Sequence, residues 1–592
     1  MAKRIIIPPS VFRPFFIDFQ LFTKMKRRKF VALGATTLGI MPLTGFNILG
    51  TKSPTKPVWL IELIKLNDKG ITTAPEPTQV NDKSLKSYGG ILDGNEIPSP
   101  QNTGDFISKL AIALSCPESA FYQSKEVLKK IEMAVQYLLN VQHKDGTIDL
   151  RSSNFNSPPD TAFSVETIAP AYNFIKASQT KGSETALALC KTYLQKAGES
   201  LIVGGIHTPN HRWVVSAALT KLNDLFPDKR YLNRAEEWLL EHIDLDADGQ
   251  YTEKSTGGYT PLVNHVLITV AKGLKKPEIL DAVRKNLNMT MFYVHPNGEV
   301  VTEASNRQDK GTIGTLENYY YSYRYLSLLD KNGEYAAMCR LIEKTCFPKL
   351  QHSLDAFLED PNLWNELPDT KPLPISYAKA FPFSGVARIR RDHWDTTILS
   401  NNAGFLTFHK GDAVLQAMRI AASFFGKGQF QSSEIKKEGE TWVLSSKLEG
   451  PYYQLYPKDQ IDPNGDLSKM PRTNRPKSEV QYLETVVKIT ETTGGIIVDF
   501  DIHGTDDVPV TLELVFRQGG KFTGVQAHAT KANAYLFKEA KGTYTLGKDT
   551  LQFSAGKLEH KGILLRGALP AMDAPTVYLT GFTPFKHTIT LT

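Results

Sequence analysis

The chain has 592 residues, of which 41% are hydrophobic and 22% charged, and its formal net charge is +7. This composition excludes a disordered or fibrous protein, and the length predicts two large domains rather than one. Eight lysines and arginines but only one acidic residue lie among the first 30 residues, so the rest of the chain is close to neutral. A protein with so little net charge is not expected to bind nucleic acid, which requires a concentrated basic face.

The N-terminal region has the pattern of an export signal. From Met25 the sequence reads MKRRKFVALGATTLGIMPLTGF, a basic start followed by a stretch of apolar and small residues. Arg27 and Arg28 resemble the pair of a twin-arginine signal, so we expect an exported protein, periplasmic or secreted. The stretch is weakly apolar for a membrane span, and no stable membrane insertion is expected after the signal is removed; an uncleaved anchor is the alternative. Residues 1–50 are interpreted as an upstream extension and this signal, and residues 51–105 as a linker and N-terminal segment.

Residues 106–372 are predicted to form an α-helical catalytic domain. Apolar residues recur there with helical spacing in nine segments, and no convincing strand pair is visible between them. The segments are 127–141, 161–177, 184–197, 211–226, 234–243, 261–273, 279–287, 316–329 and 335–345. Three similar stretches separate some of them: HKDGTIDL, DADGQYTE and HPNGEVVTE, in which a glycine with positive φ could end each helix. Repeated helix pairs joined in this way predict an (α/α) toroid, and an irregular all-α bundle is the alternative.

The C-terminal residues 373–592 are predicted to form an antiparallel β-sandwich. Runs such as GFLTFHKG, GIIVDFDIHG and VTLELVFRQ alternate or are rich in β-branched and aromatic residues, and glycine or proline bounds them. The predicted fold class is therefore multidomain α+β, with an N-terminal toroid followed by the sandwich.

No cofactor or metal ion is expected from the sequence. The four cysteines are too few and too scattered for a disulfide framework or a CxxC metal site, and we expect buried thiols, with one disulfide as the alternative. The segment DLDADGQYTEKS from Asp244 resembles a calcium loop, but Ser255 stands where a bidentate glutamate belongs. A structural calcium or zinc ion is therefore only an alternative.

The densest group of chemically capable residues is HTPNHRW, which begins at His207 where a helix is predicted to start. Thr208 or Asn210 could cap that helix. Forty to fifty residues later follows the segment DGQYTEKSTGGYTPLVNH. An imidazole, an amide, a guanidinium and an indole at one helix start are hard to explain as core residues, so we expect a functional site there.

These two segments resemble the heparinase II/III-like lyases and their alginate-lyase relatives, in which an Asn-His pair opens a helix and a DGxYxExSxxY segment follows. The matching residues are Asn210, His211, Asp248, Gly249, Tyr251, Glu253, Ser255 and Tyr259. The resemblance implies a polysaccharide lyase with Asn210, His211 and Tyr259 as catalytic residues, and with Tyr251 as the alternative tyrosine. The family's HxHxDxGsF motif in the β half is not matched, because this chain has only FHKGDA, with His409, and RDHWD, with His393.

The expected chemistry is β-elimination of a uronic-acid glycoside. The C5 proton becomes acidic only when the adjacent carboxylate is neutralised, which an amide, a protonated histidine or an arginine can do. A tyrosine or histidine then removes the proton, and a nearby arginine would lower the pKa of a tyrosine base; Arg212, Arg307 and Arg324 are the candidates. Aromatic rings suit sugar faces. The predicted substrate-binding residues are Arg212, Trp213, Tyr251, Glu253, Asn264, His265, Arg307, Asn318, Tyr319, Tyr320, His393 and His409.

Two other functions stay open at this point. An inverting glycoside hydrolase would need two carboxylates on opposite sides of the bond that is cleaved. The candidates are Asp160, Glu166, Glu253, Glu303 and Glu317. A non-catalytic glycan-binding protein is the second alternative. In each case the expected partner is an acidic poly- or oligosaccharide, and the sequence does not predict the oligomeric state.

Overall fold

The computed structural model describes residues 55–72 and 78–592, and the predicted export signal lies outside them. Within these ranges a helical part is followed by a part made of β-strands. None of the helices in this described part of the chain has both the length and the apolar character to cross a bilayer. The predicted α+β class, with helices first and largely antiparallel sheets second, is confirmed.

The helical part contains the nine predicted helices, which are confirmed as α3 to α11. The α-helices are α1 (Val58–Thr72), α2 (Pro100–Ser115), α3 (Lys125–Val141), α4 (Pro158–Ser178), α5 (Glu184–Val203), α6 (His211–Leu225), α7 (Lys229–Leu239), α8 (Tyr259–Leu274), α9 (Leu280–Thr290), α10 (Tyr320–Asp330), α11 (Gly333–Cys346) and α12 (Leu354–Glu359). The glycines of the recurring turns have the positive φ that was expected, for example 100° at Gly249 and 86° at Gly298. Such a φ lets the chain turn back after a helix at little cost.

Two features of the helical part differ from the sequence prediction. The segment 51–105, expected as a linker, contains α1 and the start of α2; Leu60, Leu63 and Ile64 of α1 are fully buried. Short antiparallel pairs also occur where no strands were expected. They are β1 (Ile91–Leu92) with β2 (Pro98–Ser99), and β3 (Ile148–Leu150) with β4 (Asn154–Ser157). These strands are too short to show an alternating pattern in the sequence.

The helices pack as consecutive hairpins in two layers. The even-numbered helices α2, α4, α6, α8 and α10 contact one another in succession, and each also contacts the odd-numbered helix that follows it. Because each odd-numbered helix returns the chain, the even-numbered helices run in one direction and begin at the same end. Phe163, near the start of α4, contacts His211, the first residue of α6. Residues at these helix starts are therefore brought together.

The strands of the C-terminal part form two large sheets. They are β5 (Ser376–Phe381), β6 (Val386–Arg391), β7 (Trp394–Leu399), β8 (Leu406–Lys410), β9 (Ala413–Ala422), β10 (Gly428–Gln429), β11 (Lys436–Glu438), β12 (Thr441–Tyr453), β13 (Lys477–Thr492), β14 (Gly495–Gly504), β15 (Pro509–Phe516), β16 (Lys521–Thr523), β17 (Gln526–Ala527), β18 (Ala534–Leu536), β19 (Gly542–Leu546), β20 (Asp549–Ser554), β21 (Thr576–Phe582) and β22 (Phe585–Leu591). One sheet has the order β17-β18-β21-β15-β9-β8-β7-β6-β5, with β10 on β9, and the other β11-β12-β13-β14-β22-β20-β19-β16. Pairing is antiparallel except between β18 and β21.

The two sheets share one hydrophobic core. Phe408 and Leu512 of the first sheet belong to the same buried cluster as Phe500 and Ile589 of the second. Inward-facing residues alternate with outward-facing ones along β14, as in a strand with one solvated face. This is the layered packing that the alternating runs in the sequence predict.

The helical part and the strand part are in direct contact. Tyr293, from the segment after α9, packs in one buried cluster with Phe381 and Leu399 of the first sheet. Arg390 donates from Nη1 to the carbonyl oxygen of Val294 at 2.9 Å. All four cysteines are buried thiols, as expected, and none is paired within the described residues.

Candidate active site

Asn210 lies directly before α6 and is only 2% exposed. Its backbone N–H donates to Oε1 of Glu253 at 3.2 Å, and its Oδ1 accepts from the hydroxyl of Thr208 at 2.7 Å. Its side chain makes no capping bond to α6. Among the described residues, its Nδ2 has no hydrogen-bond partner although it is buried. A buried amide N–H without a partner is costly, and it is available to a ligand.

Tyr259 is the first residue of α8 and is half-buried. Its backbone N–H donates to Oγ of Ser255 at 3.0 Å. The guanidinium of Arg307 lies over its ring, with the central carbon 5.0 Å from the ring centre. Arg307 Nε is in turn 3.6 Å from Oε2 of Glu253. Glu253 therefore links the two helix starts, because one carboxylate contacts both Asn210 and Arg307.

Asn210 and Tyr259 face a common space. A small cavity of about 190 Å³ is lined by side chains from both helix starts and from the segment between them. Its lining consists of Asn210, Asp244, Tyr251, Glu253, Tyr259, Thr260 and Val263. Two of the three predicted catalytic residues thus meet at one cavity with Glu253.

His211 packs beside this cavity against two rings. Its imidazole lies edge-to-face with Phe163 at 6.1 Å and with His207 at 4.7 Å. Burial, with repulsion from His207 and Arg307, lowers the pKa of His211 to about 4. The ring is therefore neutral at pH 7 and does not supply the positive charge that a protonated histidine would bring to a carboxylate. A neutral imidazole can accept a proton instead.

The loop that leads into α8 is held by a single carboxylate. Asp309 accepts from Ser255 Oγ at 3.0 Å and from the backbone N–H of Gly257 at 2.8 Å. It also accepts from Ser305 Oγ at 2.8 Å. Asp309 is buried, so these charge-assisted bonds fix the conformation that places Tyr259.

A cleft of about 1260 Å³ opens beside the helix starts. Phe163, which contacts His211, lines it, and so does Gly258, which precedes Tyr259. Its charged lining comprises three carboxylates and one ammonium group. These are Asp105, Glu166, Asp355 and Lys221. Lys221 Nζ lies 3.4 Å from Glu166 Oε2, so two carboxylates are left without an ammonium group from the cleft lining.

A second groove, of about 1190 Å³, lies between the helical part and the strands. Lys254 and Asn306 line it from the helical side, and they adjoin Glu253 and Arg307 in the sequence. Its other side includes Phe383, Asn402 and Trp442. The cavity at Asn210 and Tyr259 therefore lies between a cleft in the helices and a groove against the sheet.

Several predicted substrate-binding residues have internal partners instead. Arg212 and Trp213 both bond to Oδ1 of Asp244, at 2.9 and 3.1 Å, and Trp213 is fully buried. Asn264 donates to Asn286 at 2.7 Å and accepts from the hydroxyl of Tyr251 at 2.8 Å. Their placement corrects the prediction that Arg212, Trp213 and Asn264 bind substrate, because their polar groups hold the helices together. Burial also raises the pKa of Tyr251 well above its usual range, which leaves Tyr259 as the candidate tyrosine.

The tyrosine-rich helix start also belongs mostly to the core. Tyr319 is buried and donates to the carbonyl oxygen of Thr256 at 2.6 Å, and Tyr320 is buried against Glu343. The prediction that these two rings contact sugar is corrected, since packing accounts for both. Asn318 and His265, by contrast, line the cleft, where His265 stacks on Tyr321 at 4.3 Å.

The two histidines predicted in the β half are placed differently from each other. His393 is exposed in the turn between β6 and β7. His409 is buried and lies with His295 and Asp395 in a group of side chains that could hold a metal ion. Neither lines the cavity at Asn210, so their assignment to substrate binding is corrected.

Comparisons with known proteins agree on the fold. No protein-family model and no curated protein matches the chain. Among solved structures, heparinase III has a TM-score of 0.52 at 12% identity, over 92% of this chain and 84% of that one. Chondroitin AC lyase of Streptomyces coelicolor A3, in complex with chondroitin sulphate, has a TM-score of 0.51 at 12% identity, over 92% and 80%. A Paenibacillus xanthan lyase has 0.53 at 9% identity, over 83% of this chain and 51% of that one. The chain thus has the fold of polysaccharide lyases.

Proposed function

We propose that the protein is a polysaccharide lyase that cleaves uronic-acid-containing glycans by β-elimination. In this proposal residues 106–372 form an (α/α) toroid that carries the active site, and residues 373–592 form a β-sandwich beside it. The observation that carries the proposal is the buried Nδ2 of Asn210, which finds no partner among the described residues and shares a cavity with Tyr259. The fold of heparinase III and chondroitin AC lyase supports the same class of reaction.

Asn210 and Arg307 would neutralise the uronate carboxylate. The amide N–H of Asn210 donates to a carboxylate oxygen, and the guanidinium of Arg307 adds positive charge nearby. The N-terminal ends of α6 and α8 meet here, and their dipoles favour an anion at this position. As charge moves from C5 into the carboxylate, these donors stabilise the enolate-like transition state without reorganising.

Tyr259 would move the proton. As a phenolate, stabilised by the guanidinium over its ring, it takes the C5 proton of the sugar. The electron pair of the C5–H bond forms the C4–C5 double bond, and the C4–O bond breaks. The phenol then returns the same proton to the departing glycosidic oxygen, so no water is consumed. Neutral His211 is the alternative acceptor of the C5 proton.

The charge of the cleft favours a particular substrate class. Three carboxylates against one ammonium group would repel sulfate esters on neighbouring sugars. We therefore infer that the uronate is flanked by sugars that are neutral or that carry an amino group. A groove meant for a highly sulfated glycan would be expected to contain several arginines and lysines.

The same carboxylates make an inverting glycoside hydrolase the second candidate. Such an enzyme needs an acid and a base on opposite sides of the bond that is cleaved. Asp105, Glu166 and Asp355 all line the cleft, but Glu166 is paired with Lys221. Asp160, Glu303 and Glu317 are not part of this lining. The lyase proposal is favoured because the unpartnered amide and the arginine-covered tyrosine serve elimination and have no role in hydrolysis.

One experiment separates these candidates. Purified protein is incubated with unsulfated polysaccharides that contain glucuronate, iduronate or mannuronate, and near-ultraviolet absorbance and reducing ends are both recorded. A lyase produces an absorbing unsaturated sugar with each new reducing end, whereas a hydrolase produces reducing ends alone. A glycan-binding protein produces neither. Loss of the absorbing product in Tyr259→Phe would assign the activity to this site. Export of the protein, proposed from its N-terminal sequence, is tested by following the cellular fraction that contains it.

A further inference from the structure

A second cluster of chemically capable side chains lies where the helical part meets the strands. His295 follows α9, while Asp395 lies on β7 and His409 on β8. All three are buried, and one ligand atom of each lies within 4.8 Å of the others. Glu303 adjoins them, with Oε2 at 3.4 Å from Nε2 of His295. Two imidazoles and two carboxylates from distant parts of the chain therefore converge on one point.

The contacts within the cluster leave one ligand atom unused. His295 contacts both carboxylates, because its Nδ1 is 3.0 Å from Asp395 Oδ2 and its Nε2 faces Glu303. Within the part of the chain that the structure describes, Nδ1 of His409 is buried without a hydrogen-bond partner. The two imidazole rings are parallel, with centres 3.6 Å apart. Burying an imidazole nitrogen in this way is unfavourable unless something binds it.

We propose that His295, Asp395, His409 and Glu303 bind a structural zinc ion. Imidazole nitrogens and carboxylate oxygens are ligands that zinc prefers, and four protein ligands form the closed tetrahedral shell of a structural site. The zinc would bind the unused Nδ1 of His409. It would also replace the close contacts of His295 with the carboxylates, since a shift of a few tenths of an ångström brings such atoms to about 2.0–2.2 Å from a shared ion.

The surroundings of the cluster resemble the outer shell of a metal site. Arg388, which is fully buried, donates to Oδ2 of Asp395 at 2.8 Å. Glu303 Oε1 accepts from the hydroxyls of Thr397 and Thr407 at 2.7 and 3.0 Å. These bonds hold one oxygen of each carboxylate and leave the other oxygen for an ion, which is how ligating carboxylates are usually oriented.

The ligand set indicates what the zinc would do. It differs from the HxHxDxGsF motif, because its first two residues come from the helical part and only the last two from the strands. A zinc ion at this position would tie the segment after α9 to the first sheet. Since the second groove includes Glu303 in its lining, the ion would also fix one wall of the space beside the active site.

The test uses the full chain without an affinity tag. The protein is stripped with a chelator, dialysed against zinc, and its zinc content is measured by mass spectrometry. Wild-type protein and the control His393→Gln, whose imidazole is exposed on the neighbouring turn, should each retain one zinc ion per chain, whereas His409→Gln should retain none. Absence of zinc from the wild type, or equal zinc in His409→Gln, would overturn the proposal.

A second measurement does not depend on the fold of a variant. Cobalt(II) is titrated into stripped wild-type protein, and visible absorption is recorded. Intense d–d bands that saturate at one cobalt ion per chain and disappear on addition of zinc are expected for a four-coordinate site of this kind. Weak bands typical of hydrated cobalt, without saturation, would show that no such site exists. Thermal unfolding of the stripped and zinc-loaded protein should then differ, with the loaded protein melting at the higher temperature.

Discussion

The guanidinium of Arg307 covers the ring of Tyr259 and at the same time contacts Glu253, which bonds to the backbone of Asn210. Arg307 is thus held by one carboxylate in the position where it acts on the phenol. A positive charge over a tyrosine favours the phenolate over the phenol. The arrangement makes the acidity of Tyr259 depend on a residue 48 positions further along the chain.

The first prediction concerns this arginine. Arg307→Ala should lower the lyase rate roughly 100-fold and move the activity profile to higher pH, because the phenolate loses its stabilising charge. Arg307→Lys keeps the charge but not the flat face over the ring, and its rate should lie between the two. The measurement is the initial rate of unsaturated product formation from pH 5 to about 10. An unchanged profile in Arg307→Ala would remove the arginine from the mechanism.

The second prediction separates catalysis from helix capping. Asn210→Ala should lower activity roughly 100-fold but cost no more than about 1 kcal/mol in the free energy of unfolding, because its side chain makes no cap bond. The matched control is Ser124→Ala, since Ser124 Oγ accepts the Val127 N–H at the start of α3. This control should lose about 1 kcal/mol and keep full activity. Urea unfolding and the absorbance assay together check both variants; a fully active Asn210→Ala would contradict the proposed role.

The third prediction concerns the loop before α8. Asp309→Asn replaces an oxygen that accepts from Ser255, Ser305 or Gly257 with an N–H donor. The free energy of unfolding should fall by about 1–3 kcal/mol. The maximal rate should fall more than substrate affinity, because Asp309 positions Tyr259 and does not touch the sugar. Equal losses of affinity and rate would instead indicate a residue that binds substrate.

The fourth prediction is a pH dependence of stability. Burial lowers the pKa of His211 to about 4, whereas an unfolded histidine titrates near about 6.5. The unfolded chain therefore binds the proton more readily, so the contribution of neutral His211 is fully present above about pH 6.5 and is lost as the pH falls toward about 4. The loss approaches about 3 kcal/mol. Urea unfolding at several pH values should show a shallower acid decline in His211→Gln than in the wild type, and an unchanged decline in His393→Gln.

The fifth prediction concerns substrate charge. Unsulfated glycans should be cleaved faster than their sulfated counterparts of the same backbone, because Asp105 and Asp355 face the cleft. Asp355→Asn removes one of these negative charges and should narrow the difference, with a larger effect at low salt. The ratio of the two rates is the quantity to compare. A preference for the sulfated glycan in the wild type would contradict the substrate class proposed above.

Much of the fold could be predicted because local patterns determine it. The helical spacing of apolar residues locates α3 to α11, and alternating β-branched runs locate the longer strands, since packing on one face imposes both patterns. Helix α1 was missed because its segment adjoins proline- and threonine-containing stretches that favoured a linker. The short strands β3 and β4 carry no periodic signal at all.

The site was predictable only in part. Asn210 and Tyr259 lie in motifs that stand at helix starts, so the sequence alone points to them. The roles of Glu253 and Arg307 depend on which segments approach each other, and spacing along the chain does not reveal this. The tyrosines around Tyr319 were misplaced because helical periodicity does not tell which rings of a tyrosine-rich turn face inward. Phe163 and Lys221 carried no signal, since a phenylalanine or a lysine in a helix is common.

The contact of Glu303 with β7 and β8 has a further consequence for how the protein can be divided. This carboxylate belongs to the helical part, yet its oxygens accept from Thr397 and Thr407, and the carbonyl of Val294 accepts from Arg388 and Arg390. A chain that stopped at residue 372 would leave these acceptors unsatisfied and would expose Tyr293 to water. The helices that hold the active site therefore depend on the strands that follow them, and a separately expressed helical fragment should be insoluble or inactive.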